Sequence, residues 1–341
     1  MVTSAPAPST WPIIGHEHQV GRLRRMVLHQ HYPFAILMTG APRVGRKALA
    51  TQLAAAVVCP QSRDQVACGT CLTCMRISAG THPDVEYWSV ERQEQESGKS
   101  KSAALTIETV RRIAASTSLR PVEGLRRFII VDDAETLGDA AQQALLKTLE
   151  DLPAFATIIL VATSAGSMLG TVRSRSMEVA LQLTPTDVIA SRLDGPDAAK
   201  IAALSGGRPG WAITARSNPE WLAEQFERIK LLESWLRMSR GDRLVEAYVR
   251  GDRFVRDRRT AVADLDRIQM IWRDILLTET NLPQFAFDVE LATRLARGAR
   301  AGLPDWRRAL VGTRQCLQDL TGNIRPRLAM QAMVNQWPTL S

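Results

Sequence analysis

Gly40-Ala41-Pro42-Arg43-Val44-Gly45-Arg46-Lys47-Ala48 decides how the rest of this chain reads. An apolar run from Phe34 to Met38 precedes it, as a buried strand would, and a helical pattern from Leu49 to Val58 follows. Strand, glycine-rich loop and helix in that order form the setting in which backbone N–H groups cradle phosphate. The alternative is a chance glycine-rich turn, which would not need both neighbours to agree. The frame is intact, but its chemical residues differ from GxxxxGK[ST]. Arg46 stands where a lysine reaches the terminal phosphates, and Lys47 where a hydroxyl ligates magnesium. An ammonium donates no oxygen to Mg²⁺ and adds positive charge where the cation would sit. Shifting the frame by one residue gives Lys47 the lysine role but leaves Ala48 at the hydroxyl position. Neither register restores the metal ligand.

The chain has 341 residues, 45% hydrophobic and 23% charged, an ordinary composition for a soluble protein of two or three domains. No apolar run is long enough to span a bilayer, and Met1 to Pro12 lacks the apolar core of a signal peptide, so a cytoplasmic location is expected. A formal charge of +8 and a pI near 9.6 suit an acidic partner such as nucleic acid, although a solvated basic surface gives the same balance.

Four of the five cysteines fall in sixteen residues, as Cys59-x8-Cys68-x2-Cys71-x2-Cys74. Four soft thiolates at that spacing suit tetrahedral Zn²⁺. Disulfides are the alternative, disfavoured in a reducing cytoplasm. With four thiolates and no open position, the metal is expected to be structural, closing a small knob after the loop helix. His82, in Gly80-Thr81-His82-Pro83-Asp84, reads as a turn residue before a strand from Val85 to Val90 rather than as a fifth ligand.

Glu91 to Ser102 is charged, small and polar and reads as a mobile surface loop. A helix follows, with Thr106 as its N-cap and Ile107, Val110 and Ile113 on one face. Arg111, Arg112, Arg120, Arg126 and Arg127 read as a solvated basic face rather than a DNA contact, because no aromatic residues are interleaved for base stacking. Phe128 to Val131 is a buried strand ending in Asp132 and Asp133. In P-loop NTPases the first such carboxylate holds Mg²⁺ and a following glutamate polarises the attacking water. Asp133, at that second position, is about one methylene shorter, which argues against hydrolysis. A helix over Asp139 to Glu150 and a strand over Thr157 to Ala162 complete a pattern of parallel α/β sheet with helices on both faces.

Together the loop, the cysteine spacing, Gly80 to Asp84, Val131-Asp132-Asp133-Ala134-Glu135, Ala144-Leu145-Leu146-Lys147-Thr148-Leu149-Glu150 and Arg173-Ser174-Arg175-Ser176 resemble one family. It is the delta prime family of bacterial DNA polymerase III clamp-loader subunits, which are AAA+ proteins. Gly206-Gly207-Arg208-Pro209-Gly210, Trp272-Arg273-Asp274-Ile275-Leu276 and Asn323-Ile324-Arg325-Pro326-Arg327-Leu328 extend the resemblance through nearly the whole chain. It implies an AAA+ nucleotide-fold domain over residues 1–183 with the zinc insertion at 59–74, a small helical lid over 184–218, and an all-helical collar over 219–341 that joins subunits in an open ring. Thr184-Pro185-Thr186 and the glycine turn mark the same change of pattern. Beyond Pro219 the signals are helical, with Trp221, Phe226, Ile229, Leu232 and Trp235 as core or interface positions.

The resemblance also implies site residues. Arg175, in the family's Ser-Arg-Cys motif, would enter a neighbouring subunit's ATP site as a finger, with Arg173 the competing candidate and Ser176 replacing the cysteine. Gly40, Gly45, Arg46, Lys47 and Asp132 would line a degenerate nucleotide site, and whether it holds nucleotide without turnover stays open. Trp211 stands where active subunits carry a lid arginine. The expected protein is a non-hydrolysing stator working with gamma/tau and delta-type subunits, a sliding clamp and primer-template DNA. The alternatives are an active gamma/tau-type ATPase and a zinc-bearing DNA-binding module acting alone.

Overall fold

The computed structural model describes residues 10–97, 104–254, 256–297, 299–321 and 324–340. The chain divides into two compact units, Met1–Arg192 with Arg208–Trp211, and Leu193–Gly207 with Ala212–Ser341.

The first unit begins with α1 (Glu17–Leu28), β1 (Ala35–Thr39), α2 (Arg46–Val58), α3 (Leu72–Ser78) and β2 (Val85–Trp88). It continues through α4 (Val90–Ser97), α5 (Ile107–Thr117), β3 (Arg127–Val131), α6 (Asp139–Glu150), β4 (Ala156–Ala162), α7 (Gly170–Ser174), β5 (Met177–Ala180) and α8 (Thr186–Ala190). The strands form one parallel sheet in the order β2-β3-β4-β1-β5. β1, β3 and β4 are apolar along nearly their whole length because both faces are covered. Ile36, Met38, Phe128, Ile130, Ile159 and Val161 pack with Leu23 of α1 and Leu49 and Leu53 of α2. The alternate residues Leu37, Ile129, Val131, Ile158 and Leu160 pack with Val110 and Ile113 of α5 and with Leu145 and Leu149 of α6. Each such aliphatic side chain stabilises the fold by about 1.5–3 kcal/mol relative to exposure.

The strands and helices expected around the loop, at Thr106 and over Asp139–Glu150 are present; Thr106 accepts the Thr109 N–H at 3.3 Å as an N-cap. Four expectations need correction. The strand from Val85 stops at Trp88, and Val90 opens α4. The expected mobile loop over Glu91 to Ser102 is helical as far as Ser97, and its remainder lies outside the described residues. Its polar residues have partners: Gln93 is buried, accepting the Thr106 N–H and donating to the Ala104 carbonyl, while Glu96 pairs with Arg92 and Arg112. Nor are all the arginines solvated. Arg127 is buried against Glu86 and Asp84, and Arg126 lies over the Tyr32 ring and donates to the Ala154 carbonyl. Ile107 is exposed, so only Val110 and Ile113 of the expected trio face the core.

The second unit is helical throughout its described residues. α9 (Ala198–Ser205) and the end of α10 (Pro209–Ser217) precede α11 (Pro219–Arg237), α12 (Arg240–Arg253), α13 (Arg258–Glu279), α14 (Val289–Ala296), α15 (Leu303–Thr321) and α16 (Pro326–Val334). Trp235, Trp272, Trp306 and Trp337 are buried in one core, with the Trp272 ring centroid 5.9 Å from that of Trp306 and 5.8 Å from that of Trp337. Trp235 is therefore a packing residue, as expected, and the other three pack in the same core. The Asp274 carboxylate is buried and accepts the backbone N–H groups of Phe287 and Asp288, tying α13 to the start of α14. Asn323, the first residue of the closing motif, lies outside the described residues; Pro326 opens α16.

Candidate functional site

The loop after β1 and the carboxylates after β3 lie at the carboxyl edge of the sheet, where open α/β sheets place ligands. Gly40 has φ 146°, and a Cβ there would fall 2.5 Å from the Leu181 carbonyl oxygen, so no larger residue fits. Gly45, at φ 114°, caps α2, whose first residues are Arg46 and Lys47. The strand, the glycine-hinged loop and the helix read from the sequence are thus present in that order.

Its side chains are differently engaged. Lys47 Nζ lies 3.7 Å from Asp132 Oδ2, linking the start of α2 to the end of β3. In a P-loop NTPase the hydroxyl at this loop position and the aspartate jointly hold Mg²⁺. Here one of those ligands is a cation paired to the other, and the donor set does not fit the metal. Arg46 buries Nη1 without a hydrogen-bond partner among the described residues, and its charge acts on Glu135. Burial nevertheless raises the Glu135 carboxyl above the usual carboxylate range, helped by Asp133 and Asp132. Asp133 sits at φ 57°, opening the short turn that carries Glu135.

Two braces on the loop come from residues whose contact with it the sequence does not show. His16 Nε2 is 3.1 Å from the Val44 carbonyl oxygen and therefore carries the ring proton; burial lowers the pKa of this imidazole. The Gly210 N–H donates to the Arg43 carbonyl at 2.9 Å, and a Cβ at Gly210 would lie 2.8 Å from that oxygen. Glycine thus lets the first turn of α10 rest directly on the loop. Trp211, beside it, is buried.

The four cysteines converge. All four Sγ atoms of Cys59, Cys68, Cys71 and Cys74 lie within 4.8 Å of one another. Separations are 3.7 Å for Cys59–Cys68, 3.8 Å for Cys59–Cys71 and 3.9 Å for Cys68–Cys74. Thiolates at about 2.3 Å from a tetrahedral centre would stand about 3.8 Å apart, so the cluster fits a metal ion; disulfide sulfurs would be about 2.05 Å apart. The Cys71 and Cys74 N–H groups donate to the sulfurs of Cys68 and Cys71 at 3.3 and 3.4 Å, which favours thiolates. Burial opposes ionisation of Cys68, yet N–H donation from Thr70 and Cys71 brings its thiol down to about 6. His82 is no ligand. It is buried, with Nδ1 accepting the Asp84 N–H at 3.0 Å and Nε2 3.3 Å from Glu123 Oε2.

Arg175 follows α7. Its Nη2 is 2.7 Å from Glu150 Oε1 at the end of α6, and Nη1 donates to the Thr171 carbonyl at 3.3 Å. Arg173 is exposed and has no ion-pair partner among the described residues. Ser176, half-buried, donates to the Val172 carbonyl at 2.8 Å, a packed rather than reactive position.

The family model described as "DNA polymerase III, delta subunit" matches residues 15–185. The chain belongs to this family. A DNA polymerase III subunit delta' of Pseudomonas aeruginosa is 31% identical over 188 residues, covering 53% of this chain and 54% of that protein. The Escherichia coli protein of the same name is 32% identical over 197 residues, covering 56% and 57%. A DNA polymerase III subunit tau/gamma of Haemophilus influenzae is more distant, 24% identical over 182 residues, covering 53% and 25%. The chain spans about half the length of the delta' relatives it matches. Among the described residues no helix is long and apolar enough to cross a membrane.

Proposed function

We propose that this chain is the delta prime stator of a DNA polymerase III clamp loader. In this reading residues 1–183 are an AAA+ nucleotide-fold domain, 184–218 a lid and 219–341 a collar. The chain assembles with gamma/tau and delta-type subunits to open a sliding clamp and place it on primer-template DNA. It turns over no ATP itself. The observation that carries this is the Lys47–Asp132 pair, which joins a cation to the carboxylate an active subunit would give to magnesium. Asp133 in place of a glutamate and Trp211 in place of a lid arginine act in the same direction.

Arg175 is the group the chain contributes to ATP chemistry. Its side chain is 42% exposed, and its guanidinium is a planar fork suited to phosphate oxygens on a neighbouring subunit. Cys59, Cys68, Cys71 and Cys74 hold Zn²⁺, which supplies only structure, closing the knob around α3.

The test is Mg²⁺-dependent ATP binding and turnover by the isolated chain. The stator reading expects no turnover above background. Saturable hydrolysis would replace it with the gamma/tau-type reading, and tight, salt-sensitive DNA binding by the chain alone would favour a free-standing DNA-binding module.

A further inference from the structure

We propose that Glu150 is a positioning residue for Arg175, holding the guanidinium aimed and half-exposed so that it docks on an anionic phosphate of the adjoining subunit with little further ordering. This rests on the reading of Arg175 as a finger.

The placement of Glu150 is the first ground. It is the last residue of α6, with Asp151 immediately after it, where the helix presents its negative end and unpaired carbonyls. A carboxylate there is electrostatically misplaced. Lys147 is the only basic residue in that last turn, whereas the cation bound to Glu150 comes from a different element.

The geometry of Arg175 is the second ground. Glu150 holds Nη2 and the Thr171 carbonyl holds Nη1, so among the described residues two of the five guanidinium donors are engaged and the others are left for a ligand. The side chains are 42% and 50% exposed. A pair in that setting is too weak to lock the arginine away, but it narrows the rotamers a long side chain would otherwise sample. Docking onto phosphate then loses less freedom, which is the sense in which preorganisation raises a rate. Arg173, two residues earlier and without an ion-pair partner among the described residues, lacks this arrangement.

The experiment is a double-mutant cycle on ATP turnover by the reconstituted loader with clamp and primed DNA. It compares the wild-type chain, Arg175→Ala, Glu150→Gln and the double variant, each checked for unchanged Tm and zinc content. Glu150→Gln is expected to lower kcat about twofold to fivefold, the range a surface ion pair supplies, with KM unchanged. It should have no further effect once Arg175 is alanine. A Glu150→Gln chain with full kcat, or with the same loss on both backgrounds, overturns the positioning role while leaving the finger in place. An Arg175→Ala chain with full turnover overturns the finger reading itself, and the positioning role with it.

Discussion

Lys47 and Asp132 face each other across 3.7 Å, joining the first turn of α2 to the end of β3. Their side chains are 56% and 24% exposed, so the pair contributes on the order of 0.2–1 kcal/mol to stability. Its consequence is chemical: the ammonium occupies the coordination partner that a phosphate loop of this frame would offer magnesium.

Rebuilding the loop should therefore restore metal dependence before it restores turnover. Arg46→Lys combined with Lys47→Thr supplies the missing lysine and hydroxyl. Calorimetry should show ATP affinity raised by at least tenfold when Mg²⁺ is added, about 1.4 kcal/mol. The variant should still not hydrolyse ATP, because Asp133 and Trp211 are unchanged. Equal affinity with and without Mg²⁺ would count against this account of the loop.

The cysteine cluster predicts one zinc per chain, measurable by elemental analysis. Cys74→Ser, whose thiol is buried in the cluster, should lose that metal and lower Tm, by roughly 2–4 °C for each kcal/mol of stability lost. Metal content unchanged in Cys74→Ser would contradict the four-thiolate site.

Two neighbouring groups, Asp84 and His82, make one region of the fold acid-sensitive. Asp84 is fully buried; although burial opposes its charge, N–H donation from Val122, Glu123 and Gly124 at 2.6–2.8 Å holds its pKa below 3.8. Burial holds His82 below 6.5, against the attraction of Glu123 and Asp84 and alongside the repulsion of Arg76. Both groups bind protons more readily in the unfolded chain, so both remove stability as pH falls. The His82 loss starts near pH 6.5 and the Asp84 loss near pH 4, each ending below the group's folded pKa. In a Tm series against pH, His82→Gln should flatten the upper part of the curve. Asp84→Ala should cost about 3–5 kcal/mol at neutral pH by orphaning three donors. A His82→Gln curve parallel to wild type would refute the histidine assignment.

Much of the first unit was legible because its signals are local. The apolar runs of β1, β3 and β4, the loop glycines, the cysteine spacing and the Thr106 cap each lie within a few neighbouring residues. What escaped depends on partners distant in sequence. Arg127 reads as part of a basic face until Glu86 and Asp84 are brought beside it by the pairing of β2 with β3. The charged and polar residues of α4 read as loop because, beyond the Arg92–Glu96 pair within the helix, their partners lie farther along the chain: Arg112 on α5 for Glu96, and Ala104 and Thr106 for Gln93. His16 and Gly210 brace the loop from far along the chain; His16 carries no motif, and the glycine turn that contains Gly210 does not say that it would meet the loop.

The central claim is that this chain supplies catalytic charge to a neighbour while hydrolysing nothing itself. The most direct measurement is ATP turnover by the reconstituted loader on primed DNA with clamp, comparing wild type with Arg175→Ala beside the isolated chain. The account predicts a silent isolated chain and a loss on the order of 10³-fold or more at the interface that Arg175 serves. Hydrolysis by the isolated chain, undiminished by Arg175→Ala, would contradict it.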